Sequence, residues 1–106
     1  MIKVTFTESP EKLSLRLEEH AGYAEHGKDI VCASASILAY TLASIIDSFD
    51  DDVEPFINLA SGDTIIGCKC KDDKTYAKVA DAFYYTKTGY ALLEHNYPQY
   101  VRLIKS

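Results

Sequence analysis

The stretch "LSLRLEEHAGYAEHGKDIVCASASILAY", residues 13–40, changes its hydrophobic period partway along. Leu13, Leu15 and Leu17 alternate with Ser14, Arg16, Glu18 and His20. This places the leucines on one face of a half-buried strand and the polar residues on the other. From about Asp29 to Phe49 the recurrence is every three or four residues. Val31, Ala35, Leu38, Ala39, Leu42, Ile45, Ile46 and Phe49 then form one stripe of a helix. The segment Ala21–Lys28 between them is a loop containing Gly22 and Gly27. On this reading His20 ends a strand and Cys32 lies in the first turn of a helix.

The rest of the chain extends the pattern. "IKVTFTE" (2–8) alternates, and the turn signal around Pro10 pairs it with the next strand as an antiparallel hairpin. The acidic run Asp50–Asp52 opposes the dipole of a helix C-terminus, so the first helix ends before it and the run is a solvated loop. "PFINLASGDTIIGCKC" (55–70) reads as two strands about the turn Ser61-Gly62-Asp63. A second helix follows, capped by Asp73 or Thr75, with Val79, Ala80, Phe83, Tyr84, Ala91 and Leu92 near one stripe. Gly89 is a weak point in it, and Pro98 ends it. "YVRLIKS" (100–106) closes the chain as a short strand. The order ββαββαβ predicts a two-layer α+β domain over residues 1–106, with two helices packed on a mainly antiparallel sheet.

Composition narrows the function classes. A chain of 106 residues, 47% hydrophobic and 25% charged, can bury a core without staples. A net charge of −5 argues against direct nucleic-acid binding and favours a basic partner. No apolar stretch is expected to span a membrane, and the alternating N-terminus does not resemble a signal peptide. A cytoplasmic protein is therefore expected, with three cysteines held as free thiols.

The residues between His20 and Cys32 carry the chemistry. A thiol attacks as its thiolate, and a helix N-terminus favours negative charge. The N–H groups of Cys32 and Ala33 are candidates for an oxyanion hole, and His20 for a general base. Asp29 caps the helix, opposes a thiolate by its charge, or orients His20. The plainer alternative makes Cys32 a small buried hydrophobe, His20 a polar strand end and Asp29 only a cap. His26 is a second acid–base candidate or an ordinary loop histidine, and His95 a favourable partner for a helix C-terminus. Cys68 and Cys70 face one side of a strand. Their Cys-x-Cys spacing is not that of a structural zinc site, so buried thiols are expected, and neither a metal nor a cofactor. Tyr84, Tyr85, Tyr90, Tyr97 and Tyr100 suit core or dimer packing, or a wall against a peptide.

The run "HAGYAEHGKDIVCASAS" (20–36) resembles the signature of the ribosomal-processing cysteine protease family Prp. That signature is Gly-His-Ala, a short loop, then Gly-x-Asp-Ile-Val-Cys-Ala, with a serine four residues after the cysteine. Here the matching positions are His20, Ala21, Gly27, Asp29, Ile30, Val31, Cys32, Ala33 and Ser36. The opening strand pair, the helix after the cysteine and the closing pattern from Tyr97 to Leu103 also fit the family's layout. One departure stands out: Glu19 replaces the usual glycine before the histidine, so the loop at His20 is expected to differ locally. The resemblance implies a cytoplasmic homodimer with Cys32 as nucleophile and His20 as base. Its implied substrate is the N-terminal extension of large-subunit ribosomal protein twenty-seven, cut after a hydrophobic stretch with Gln and paired Phe. The Gly22–Gly27 loop would be a lid that is mobile without substrate, since it offers few apolar anchors. Rival readings are a phage or prophage relative that trims capsid or scaffold proteins, a non-catalytic peptide-binding module, and a small metal-binding protein.

Overall fold

The alternating runs Ile2–Glu8 and Lys12–Glu18 become strands because one face of each is buried in the core under the helices. The computed structural model describes residues 1–25 and 27–104, and His26 lies outside them. Strands β1 (Ile2–Glu8) and β2 (Lys12–Glu18) form the expected antiparallel hairpin. Helix α1 (Ile30–Ser48) follows, then a short 3-10 turn at Asp50–Asp52. Strands β3 (Val53–Ala60) and β4 (Asp63–Cys70) make a second hairpin. Helix α2 (Asp73–Asn96) and strand β5 (Val101–Ile104) complete the ββαββαβ order.

The five strands form one sheet in the order β3-β4-β2-β1-β5. Every pairing is antiparallel except β1 with β5, which is parallel because α2 carries the chain back across the sheet. The core lies between sheet and helices. Val4, Leu13, Leu15, Ile66, Cys68 and Val101 supply the sheet side, and Val31, Ala35, Ala39, Leu42, Ile46, Val79 and Phe83 the helix side. The register brings Leu15 opposite Ile66 and Leu13 opposite Cys68, so the inward faces of β2 and β4 coincide. Leu38, Ile45 and Phe49, also placed on the α1 stripe by periodicity, are partly buried against this core.

Four readings of the sequence need correction. The buried stripe of α2 is Thr75, Val79, Ala82, Phe83, Thr86 and Tyr90, while Tyr84 and Leu92 face outward. The cap of α2 is Asp72, whose carboxylate accepts from the Thr75 amide at 2.8 Å. Gly89 does not interrupt α2. A Cβ there would lie 2.7 Å from Leu38 Cδ2, so the missing side chain lets α1 and α2 approach closely. Finally, α1 is long and apolar enough, by length and composition, to cross a membrane, with a mean hydropathy of 1.8. Here its apolar stripe packs instead on the sheet.

Candidate active site

Cys32 stands in the first turn of α1, and Asp29 shapes that turn. The Asp29 carboxylate accepts four backbone N–H groups. Oδ1 takes Val31 at 3.0 Å and Cys32 at 2.9 Å, while Oδ2 takes Tyr23 at 3.0 Å and Ala24 at 3.3 Å. One oxygen thus caps the helix and the other folds the preceding loop back onto its start. Burial pushes this carboxyl upward, but the amides of Cys32, Ala24 and Tyr23 outweigh burial and hold it below its ordinary value. Asp29 is a cap and a loop clamp, and no hydrogen bond joins it to His20 among the described residues.

The folded-back loop reaches the sulfur. Ala21, buried at 3% exposure, directs its backbone N–H at Cys32 Sγ over 3.5 Å. Tyr23 packs edge-on against Tyr97 at 5.7 Å and Tyr100 at 5.1 Å, ring centre to centre. These rings anchor the first half of a loop that by composition alone offers few apolar anchors. Gly22 and Gly27 both take positive φ, 70° and 88°, where a side chain would be strained.

His20 lies two residues beyond β2, displaced from the alternation of that strand by a left-handed residue. That residue is Glu19, with φ of 67°. The chain therefore bends at Glu19 through a conformation suited to glycine, although the side chain is not glycine. Three contacts steady the bend. The Glu19 N–H donates to the Gly62 carbonyl at 2.8 Å, its carboxylate meets Lys3 Nζ at 3.2 Å, and the Met1 nitrogen donates to the His20 carbonyl at 2.7 Å. The imidazole rests against Gly62 in the β3–β4 turn, where a Cβ would stand 2.9 Å from His20 Nε2. Sequence reasoning gave Gly62 only a turn's role. Its second role, as a seat for the histidine, depends on a contact across the sheet that no local pattern reveals.

Two clefts meet at these residues. One, about 300 Å³, runs between α1 and the β3–β4 hairpin and is lined by Cys32, Ser36 and Tyr40 on the helix and Leu59–Thr64 on the hairpin. The other, about 450 Å³, lies between the loop and the start of α1, lined by Gly22, Ala24, Gly27, Asp29, Ala33 and Ser36. His20 and Cys32 line both. Cys32, Ser36 and Tyr40 follow one another at four-residue intervals, so they share one face of α1. An extended chain laid along that face would cross the sulfur. The N–H groups of Cys32 and Ala33 are already engaged, the first by Asp29 Oδ1 and the second by the Asp29 carbonyl at 3.0 Å. Cys68 and Cys70 are remote from this site. They are buried under the helices with sulfurs 4.0 Å apart.

The model of the family described as cysteine protease Prp matches residues 1–102. Among curated proteins none matches the chain. The fold is similar to that of the essential ribosomal processing protease Prp from Staphylococcus aureus in complex with a covalently linked product peptide. There the TM-score is 0.83 and the identity 24%, with all of both chains covered. The same protease in complex with a substrate peptide matches with a TM-score of 0.77 at 24% identity, again over both whole chains. A Streptococcus mutans protein matches with a TM-score of 0.71 and 29% identity, covering 99% of this chain and 93% of that one.

Proposed function

The chain belongs to the ribosomal processing cysteine protease family Prp, and we propose that it removes the N-terminal extension of large-subunit ribosomal protein twenty-seven, with Cys32 as nucleophile and His20 as general base. The observation that carries this reading is the meeting of two clefts at one thiol and one imidazole. The cleft along Ser36, Tyr40 and Leu59 suits the apolar residues before the scissile bond, and the loop-side cleft suits those after it. The net charge of −5 suits a basic ribosomal protein.

In the proposed mechanism His20 takes the thiol proton and the sulfur bonds to the scissile carbonyl carbon. The carbonyl π pair moves to oxygen. When the pair returns, the carbon–nitrogen bond breaks and His20 gives its proton to the leaving amine. Water, deprotonated by His20, attacks the thioester, and the carbon–sulfur bond breaks to restore the thiol and release a carboxylate. The loop between Gly22 and Gly27 acts as a lid over the bound peptide. The working species is a cytoplasmic homodimer. A dimer would cover apolar surface now open to solvent, including Tyr84 and Tyr85, which are 68% and 69% exposed.

Incubation with a peptide carrying the ribosomal extension, read by mass spectrometry, tests the reading. A single cut is expected, lost in Cys32→Ser and in His20→Ala with both variants folded, because nucleophile and base act as a unit. Near-normal turnover by Cys32→Ser would refute it. Cleavage of a capsid or scaffold segment in preference to the ribosomal one would move the substrate to the phage alternative. Binding of peptide without any cut would mark a non-catalytic binding module.

A further inference from the structure

A thioester-forming protease must stabilise the negative oxygen that appears when sulfur adds to the carbonyl. The usual donors at a helix start are spent here: Val31 and Cys32 donate to Asp29 Oδ1, and Ala33 to the Asp29 carbonyl. Using them would uncap α1. Among the described residues, the backbone N–H that reaches the sulfur is that of Ala21, at 3.5 Å. It is also tightly placed. Ala21 is buried, the chain before it is held at the His20 carbonyl by Met1, and the chain after it is held at Tyr23 and Ala24 by Asp29.

We propose that the Ala21 backbone N–H is an oxyanion donor of this enzyme, resting on the sulfur in the free state and passing to the carbonyl oxygen as the carbon–sulfur bond forms. The oxygen of a tetrahedral adduct is bonded to the same carbon as Sγ, so a donor already directed at Sγ reaches it by a small shift. In the free enzyme the sulfur keeps the N–H occupied, so no buried donor is left unpaired. In the adduct the sulfur is a thioether, a poorer acceptor than the oxyanion, and the hydrogen bond strengthens where charge develops. Such an exchange lowers the barrier without tightening substrate binding equally. Asp29 is the positioning residue, because its Oδ2 fixes the two amides that follow.

The proposal rests on the cysteine protease reading of Cys32 and His20, and its test separates the two. The full chain is made by chemical ligation with the Ala21 peptide nitrogen replaced by an ester oxygen. This removes the N–H and keeps the methyl side chain. The expected result is a roughly 100-fold lower kcat with KM within about threefold. Affinity for a substrate-like peptide aldehyde, which forms a tetrahedral adduct with the thiol, should fall in parallel, and affinity for the corresponding peptide alcohol should hold. A purely structural role would weaken aldehyde and alcohol alike. An ester variant with kcat within about threefold of the parent overturns the proposal while leaving the protease reading intact. If the unmodified chain cuts no peptide, the underlying reading fails instead.

Discussion

Asp29 is the most heavily used side chain in the site, with four amide donors on two oxygens. Asparagine has one acceptor oxygen and would turn an NH₂ group toward two of those amides. Asp29→Asn should therefore cost about 2–4 kcal/mol of stability at neutral pH. The pH dependence has a definite sign. The folded carboxyl lies below its ordinary value, so its contribution is complete above that ordinary value and is lost as pH falls through the folded one. Denaturant titrations should show parent and variant converging as the pH is lowered below that point. A constant gap would mean that the carboxylate charge does not matter. Glu19 offers the opposite case. Its φ of 67° strains an L side chain, and glycine removes the strain. Glu19→Gly should stabilise the fold by about 1 kcal/mol, after the greater freedom of glycine in the unfolded chain is allowed for. A loss of stability would show that the Lys3 ion pair outweighs the strain, which two half-exposed side chains are not expected to do.

At the scale of elements, α1 is held by α2 as much as by the sheet. Tyr90 is fully buried and its hydroxyl donates to the Ala35 carbonyl at 2.8 Å, one turn past Cys32. Phe6 of β1 packs on Tyr90 at 6.1 Å, so the strand, α2 and the start of α1 meet at one ring. Gly89 lets this contact close, and Gly89→Ala should drive a methyl into Leu38. The gain in helix propensity would be outweighed, for a net loss of about 1–2 kcal/mol by thermal unfolding. An increase in stability would mean that Leu38 rotates aside freely. The periods of two and 3.6 made β1, β2 and α1 legible in the sequence, because each buries one face against a single layer. They misplaced the stripe of α2, where Tyr84 and Leu92 look apolar by composition yet face solvent. The thiol and histidine could be named from their segment, but what holds them could not. Gly62 under His20, the Tyr23–Tyr97–Tyr100 contact and the Ala21 N–H at the sulfur all join residues that only the folded chain brings together.

For the whole molecule, the three cysteines report on two different events. Cys32 is partly exposed at the junction of two clefts, whereas Cys68 and Cys70 lie under the helices on the inner face of β4. Burial, and then the neighbouring Cys70 sulfur, push the Cys68 thiol up to about 12, and burial raises Cys70 as well. In native buffer, iodoacetamide should modify Cys32 alone. The other two should react more than about 10³-fold more slowly, since β4 is paired on both sides in the sheet and exposing its inner face requires most of the stability of the fold. Raising the pH to about 10 would make an ordinary thiol mostly thiolate but should not release Cys68, whose protonated form still dominates there. Mild denaturant, by contrast, should release Cys68 and Cys70 together, with a dependence matching global unfolding measured by circular dichroism. Peptide mapping of the alkylated chain separates the three sites. Rapid native labelling of Cys68 or Cys70 would show that β4 opens locally. The β3–β4 hairpin that seats His20 would then be a moving part of the enzyme and not a fixed wall of its cleft.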